Sequence, residues 1–418
     1  MSCSLCRLPF TPSSHSVDPR WPPPGVLSEK QVLYMKHAFG MGQHVFGLAV
    51  DLVNMDNNNF TINNSNMIIN IIWETNGTTF IALHPHCATI LRHHLGLSEN
   101  SPDNLIELSL LEQIVGPPMD GVHAGRLPDF KYEDVLGAAG AHNRVDIEAL
   151  WSKRGELPDF DWLEWKRRNL DWTAVRPDVF PRFRPQVAPT RISSLGPLPE
   201  PTEDVITTQP LDVLHVLLPY LDNRSFVNIL STCRTLRRHA LTIFQAQART
   251  RVLELGWAVP TSVEYAGFVK RNPPPPAATS PTSPTTPTSP AAGDKPGEAA
   301  SSDGSAPTEP STEAADFSLV AMAHAKHSPI NADWYLYLSQ VHRTPAMRAR
   351  RWVWALAEEL WRVYGEKRAA GPYADEVDAE GQRTKSRKWK AYAKHVDQQL
   401  MMRGAMFGKH KSAKPMTW

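Results

Sequence analysis

Four side chains in the first ninety residues have the types and spacing of a tetrahedral metal site. Cys3 and Cys6 form a Cys-x-x-Cys pair in MSCSLCRLPF, and His84 and Cys87 repeat the spacing as His-x-x-Cys in LHPHC. Thiolate and imidazole ligands of this kind close the shell of a structural Zn2+, with the second pair where a strand gives way to a helix, as in treble-clef fingers. The set leaves no coordination position open for water. No glutamate stands in a deaminase-like His-x-Glu arrangement, so a metal here is expected to be structural. His86, His93 and His94 could substitute for a ligand. The competing reading is that these cysteines pack without any ligand role, since the pairs are far apart and Cys3 lies where chains fray.

No other chemistry is signalled as clearly. The sequence holds no phosphate-cradling Gly-rich loop, no Gly-x-Ser-x-Gly elbow, no His-Glu-x-x-His helix and no clustered acid pair at a strand end. The histidines from His84 to His94 read as packing or surface residues. The expectation is a protein that is not an enzyme. With 44 basic residues against 43 acidic ones the net charge is +1, which provides no field for nucleic acid or an anionic membrane. Four cysteines in 418 residues are too few for a disulfide framework and suit a reducing compartment, cytoplasmic and/or nuclear. The longest apolar run, Met67 to Trp73, is too short to span a bilayer, and the start of the chain lacks the pattern of an export signal.

The elements that must position these residues give an α+β class. Residues 1–120 read as a small mixed α/β unit that zinc can stabilise. Its strands are His44 to Val53, Met67 to Trp73 and Thr79 to Leu83, with a hairpin turn at Asn76-Gly77. A helix follows from Cys87 to Leu95, and a second, introduced by Ser101-Pro102, carries Leu105, Leu108, Leu111 and Val115 up to Gly116. Residues 121–205 are irregular and rich in Pro and Trp, with an expected extended path and one or two helices. The tetrapeptide Leu-Pro-Asp-Phe at 127–130 and 157–160 reads as a shared turn. Residues 271–315, rich in Pro, Ser, Thr and Ala and with almost no apolar residue large enough to pack, are expected to form a disordered linker between a helical region at 206–270 and C-terminal helices at 316–370, with a basic tail at 371–418. In the C-terminal helices Trp352, Leu356, Leu360 and Val363 share one stripe, expected to dock on the helices preceding the linker. Arg348, Arg351, Glu358, Glu359 and Arg362 form the opposite charged face.

The most specific pattern lies in TQPLDVLHVLLPYLDNRSFVNILSTCRTLRRHALTIFQAQAR. Thr208 and Pro210 introduce a helix with Val213, Leu214, Leu217, Leu218 and Leu221 on one broad apolar face. Pro219 should tighten or kink its end. Ser225 is the expected cap of a second helix with Phe226, Ile229, Leu230 and Cys233 inside, and a third runs through Leu236, Ala240, Ile243 and Phe244. Pro210, Asp212, Val213, Leu214, Leu217, Tyr220-Leu221, Leu230, Cys233 and Leu236-Arg237 occupy the positions of a motif. On these residues the segment resembles the F-box, over about forty residues. The N-terminal Cys-x-x-Cys, His-Pro-x-Cys and the Asp333-Trp334 and Arg350-Arg351-Trp352 pairings are similar to those of fungal F-box proteins.

The resemblance implies a substrate-recruiting subunit of a cullin-RING ubiquitin ligase. Pro210, Leu211, Leu214, Leu217 and Leu218 would contact a Skp-type adaptor and through it cullin, and other regions would hold an unknown protein substrate. Gln209 stands where the family usually has leucine, removing an apolar contact worth about 1–2 kcal/mol. The alternative is a structural or regulatory scaffold with a zinc-stabilised N-terminal fold that never engages cullin.

Overall fold

Ser28 starts the first helix by a reciprocal cap. Its hydroxyl accepts from the Gln31 backbone N–H, while the Gln31 side chain accepts from the Ser28 N–H, and α1 runs from Glu29–Met35. The computed structural model describes residues 2–11, 22–44, 47–56, 59–62, 68–69, 80–96, 103–116, 125–135, 145–154, 157–197, 205–265, 332–377 and 380–407.

After α1 come β1 (His37–His44), β2 (Gly47–Asp56), β3 (Asn59–Ile62), β4 (Ile68–Ile69) and β5 (Phe80–Leu83). They form one antiparallel sheet in the order β4-β3-β2-β1-β5, so β5 crosses back to pair with β1, Phe39 opposite Leu83 and Gly42 opposite Phe80. The expected strands overlap β2, β4 and β5. Both α1 and β1 went unread: Gly40 and Gly42 give β1 little side chain to show an alternation. The Asn76-Gly77 turn lies outside the described residues.

The helix that carries Cys87 is α2 (Pro85–His94), followed by α3 (Asp103–Val115). The connecting region supplies β6 (Trp151–Arg154) paired with β7 (Leu157–Phe160), then α4 (Trp162–Arg167) and α5 (Pro189–Ser193). One Leu-Pro-Asp-Phe copy is β7. The other is a turn with Asp129 at φ 60°, so the shared-turn expectation fails because tertiary pairing decides the conformation of identical residues.

The helical segment contains α6 (Leu211–Leu217), a 3-10 turn (Leu218–Tyr220), α7 (Asn223–Ser231), α8 (Arg234–Thr242) and α9 (Gln245–Glu254). Pro219 tightens the end of the first helix as its missing N–H requires. The cap of α7 is Asp222, whose carboxylate accepts from Ser225 N–H at 2.7 Å, so Ser225 is the donor and not the cap. Residues 271–315 lie outside the described residues. The chain then forms α10 (Trp334–Val341), α11 (Pro345–Ala370), a two-residue pairing of β8 (Glu376–Val377) with β9 (Arg383–Thr384), and α12 (Arg387–Phe407).

The docking expected for the long C-terminal helix is corrected. It is α10 that packs against α9, while α11 lies mainly along α2, α3 and the turn at 171–174. The reason is its tryptophans: Trp352 meets Trp172 edge-on at 5.9 Å, and Trp354 packs on His93 and His94 at 5.0 and 4.6 Å. One buried apolar cluster thereby extends from Cys3 to Tyr364. A smaller one joins α3 to α12 through Ile106, Leu110, Trp389 and Val396. Among the described residues no helix is long and apolar enough to cross a membrane.

Candidate functional site

Cys3, Cys6, His84 and Cys87 converge, although 81 residues separate Cys3 from His84. The first pair sits in a knuckle closed by Cys3 N–H donating to Leu8 O (2.9 Å), Arg7 N–H donating to Cys3 O (2.9 Å) and the Ser2–Pro9 bridge. The knuckle is laid on the sheet by Ser4 N–H donating to Ala82 O at 2.7 Å, beside the end of β5. His84 is the N-cap of α2 and Cys87 lies in its first turn, with Pro85 at the helix start. The strand therefore delivers the second pair directly onto the first.

The four ligand atoms all lie within 4.8 Å of one another and every one of these residues is buried. Tetrahedral ligands about 2.0–2.3 Å from one ion stand roughly 3.5–3.8 Å apart, so small adjustments would seat a metal. Cys6 Sγ is 3.3 Å from His84 Nδ1, and His84 N–H donates to Cys3 Sγ at 3.4 Å. The His84 ring is held between Phe10 (4.6 Å) and Tyr34 (5.2 Å), which fixes Nδ1 toward the sulfurs. Its buried Nε2 has no hydrogen-bond partner among the described residues.

The protonation pattern points the same way. Burial opposes ionisation of Cys3, but contacts from Cys6, Cys87 and His84 bring its thiol well below the ordinary range. Burial and the neighbouring Cys3 sulfur push Cys6 and Cys87 well above it. Three adjacent buried thiols cannot all ionise unless a cation is present. Burial, then the Cys87, Cys6 and Cys3 charges, likewise drive the Tyr34 phenol far up. The four residues could hold a metal ion.

Sequence reading missed the residue that braces this knuckle. Arg7 follows the second cysteine at φ 62° and is fully buried. Its Nε donates to Glu148 at 2.5 Å, Nη1 donates to Ser2 Oγ, and the guanidinium lies over the Trp151 ring at 5.1 Å. Trp151 Nε1 returns a hydrogen bond to Arg7 O at 3.0 Å, and Tyr132 Oη donates to Ser4 O at 2.6 Å. Gly125 permits the close approach, since a Cβ there would stand 2.7 Å from Ser2 O. The substitute ligands are placed elsewhere: His86 faces Asp178 at 3.5 Å, and His93 and His94 pack on Trp354.

The second candidate site is α6. Leu214 and Leu218 are buried in the protein's own core, whereas Pro210, Leu211 and Leu217 are exposed. Val213, Val216 (66% exposed) and Tyr220 (85%) extend an uncovered apolar face, and Val205 and Ile206 before the helix are exposed as well. The broad face read from sequence is split: half is used inside and half faces out. The inner half is clipped to α9, where Arg251 donates to Leu218 O (2.6 Å) and Asn223 Oδ1 (2.8 Å) and lies over Phe226 at 4.4 Å. Tyr335 of α10 ties down α7 by donating to Val227 O at 3.1 Å.

Arg350, which the sequence marked only as part of the Arg350-Arg351-Trp352 pattern, is the other buried cation among the described residues. It is fully buried beside the exposed charged face and donates to Glu264 at 2.6 and 2.8 Å and to Trp257 O at 2.6 Å. It joins α11 to the segment after α9. No family model, curated protein or solved structure matches the chain.

Proposed function

We propose that the protein is a non-enzymatic, substrate-recruiting subunit of a cullin-RING ubiquitin ligase, in which α6 to α8 act as an F-box. The reading is carried by one observation. A short helix bearing the F-box pattern keeps Val213, Val216, Leu217 and Tyr220 exposed along one side, while Leu214 and Leu218 anchor the adjoining side, where Leu211 is left exposed one turn before them. Exposed large apolar residues in a contiguous set favour a partner helix, the helix-in-groove mode of recognition. Ubiquitin chemistry would then belong to the partner proteins, with a Skp-type adaptor bridging to cullin.

In this proposal the metal is Zn2+ at Cys3, Cys6, His84 and Cys87, and it is structural. Three thiols and one imidazole suit zinc, and their burial leaves no route for substrate. Its task is to pin the knuckle to β5 and α2, so that the N-terminal unit forms one body with α11.

Capture by purified Skp-type adaptor tests the reading. Wild type should be retained, and Val216→Asp with Leu217→Asp should lose retention while melting normally. Equal capture of both overturns the docking face. No capture of wild type favours the second reading, a zinc-stabilised scaffold, which the commitment of Leu214 and Leu218 to the internal core also supports.

A further inference from the structure

The helix that carries Cys87 also forms one wall of an open pocket that neither the knuckle nor α6 uses. The cavity, about 360 Å³, lies where α1, the first turn of α2 and the segment around Val179 meet. Leu33, Tyr34, Pro85 and Val179 give it apolar walls, and Lys30, His86 and Arg176 provide its polar groups. Leu33 is 53% exposed and Val179 51%, so water covers apolar surface that a ligand would shield.

All three walls are held in place. The Ser28–Gln31 cap and Gln31 Nε2 donating to Asp171 O at 3.0 Å fix α1. The sulfur and imidazole cluster fixes the start of α2. Arg350 fixes the third wall, donating to Pro177 O at 3.3 Å with its guanidinium over Phe180 at 4.6 Å. A pocket so braced exists before any ligand arrives, which lowers the ordering cost of binding.

Charge selects the occupant. Asp178 is satisfied by Arg176 at 2.6 and 3.0 Å and by His86 at 3.5 Å. Lys30, an exposed residue of the pocket lining, forms no ion pair among the described residues. The first turn of α2 has no side-chain cap, which adds positive potential there. Two fixed cations against one carboxylate leave the rim positive over an apolar floor. We propose that this pocket binds an extended segment of a partner protein in which one large apolar side chain is flanked by aspartate or glutamate. The half-exposed Leu33 and Val179 leave apolar wall within reach of a side chain presented from a chain passing over the pocket. As the target-recognition site of a ligase the pocket rests on the adaptor reading; as a peptide site it does not.

The test is fluorescence anisotropy with labelled hexapeptides holding Leu, Ile, Phe or Tyr between acidic flanks, beside the same peptides with Lys or Ser flanks. Acidic apolar peptides should bind, and Lys-flanked ones at least about tenfold more weakly. Lys30→Glu and Val179→Asp, both at exposed positions, should each weaken binding about tenfold while leaving melting and metal content unchanged. No binding across the panel overturns the proposal, as does binding indifferent to flank charge or to both substitutions. Adaptor capture by the same variants should be unchanged. If peptides bind and adaptor capture by wild type fails, the adaptor reading falls alone.

Discussion

The cysteine and histidine cluster and the α6 face are built on opposite principles. At the knuckle every group with chemical potential is turned inward: the four ligand residues are buried, and Arg7 is buried with them. On α6 the structure is secured by two leucines and the rest of the apolar surface is left outside. Burial makes the first region a determinant of stability. Incomplete burial makes the second a candidate for association, at little cost to the fold. A substitution should therefore damage folding in one place and partner capture in the other.

The largest effect should come from Cys87→Ser. It removes a ligand from a set whose metal contribution to folding is of order 10 kcal/mol in small zinc domains. Loss of stoichiometric zinc by elemental analysis and a collapse of thermal stability are expected; a wild-type melt with no zinc in either protein breaks the comparison. Arg7→Met comes next. It leaves Glu148 without its buried guanidinium, which should cost about 3–5 kcal/mol by denaturant titration while zinc is retained. Within α6 the contrast should appear in one helix: Leu214→Ala should lose about 2–5 kcal/mol, and Leu217→Asp should stay within about 0.5 kcal/mol yet lose adaptor capture.

The smallest effect concerns pH. Burial, then the neighbouring His93, pushes His94 down to about 4, and burial with the nearby Arg351 does the same to His342, also to about 4, with Asp222 opposing. A base whose folded value is depressed binds fewer protons in the fold than in the unfolded chain. The stabilisation is then complete above the unfolded value of about 6.5 and fades as pH falls toward 4. Melting temperatures measured from pH 7 to pH 4.5 should drop less steeply in His94→Gln with His342→Gln than in wild type. Parallel curves would remove these histidines from the account.

Local patterns with one physical meaning were legible, and those that depend on distant partners were not. Cys3-x-x-Cys6 and His84-x-x-Cys87 were readable because ligand spacing is local and Pro85 starts a helix; only their meeting needed β5. Pro219 was readable because a missing N–H acts on its own turn. Ser28-x-x-Gln31 carried a capping signal that would have revealed α1. By contrast, the split of the α6 face was invisible, since periodicity marks a side as apolar without saying how far a neighbour will cover it. The role of Arg350 was hidden for the same reason, because its carbonyl and carboxylate partners come from two segments far away in the chain, at Pro177 and at 257–264.

The separation of 81 positions from Cys3 to His84 also imposes a schedule on biosynthesis. At about 5–20 residues per second the ribosome leaves the first two thiols waiting roughly 4–16 s before the imidazole and the last thiol are made. For that interval the nascent chain offers a bare dithiol that can be oxidised or take up the wrong ion. With the proposed zinc at these four residues, maturation would depend on how well the cell guards two sulfurs until their distant companions leave the exit tunnel.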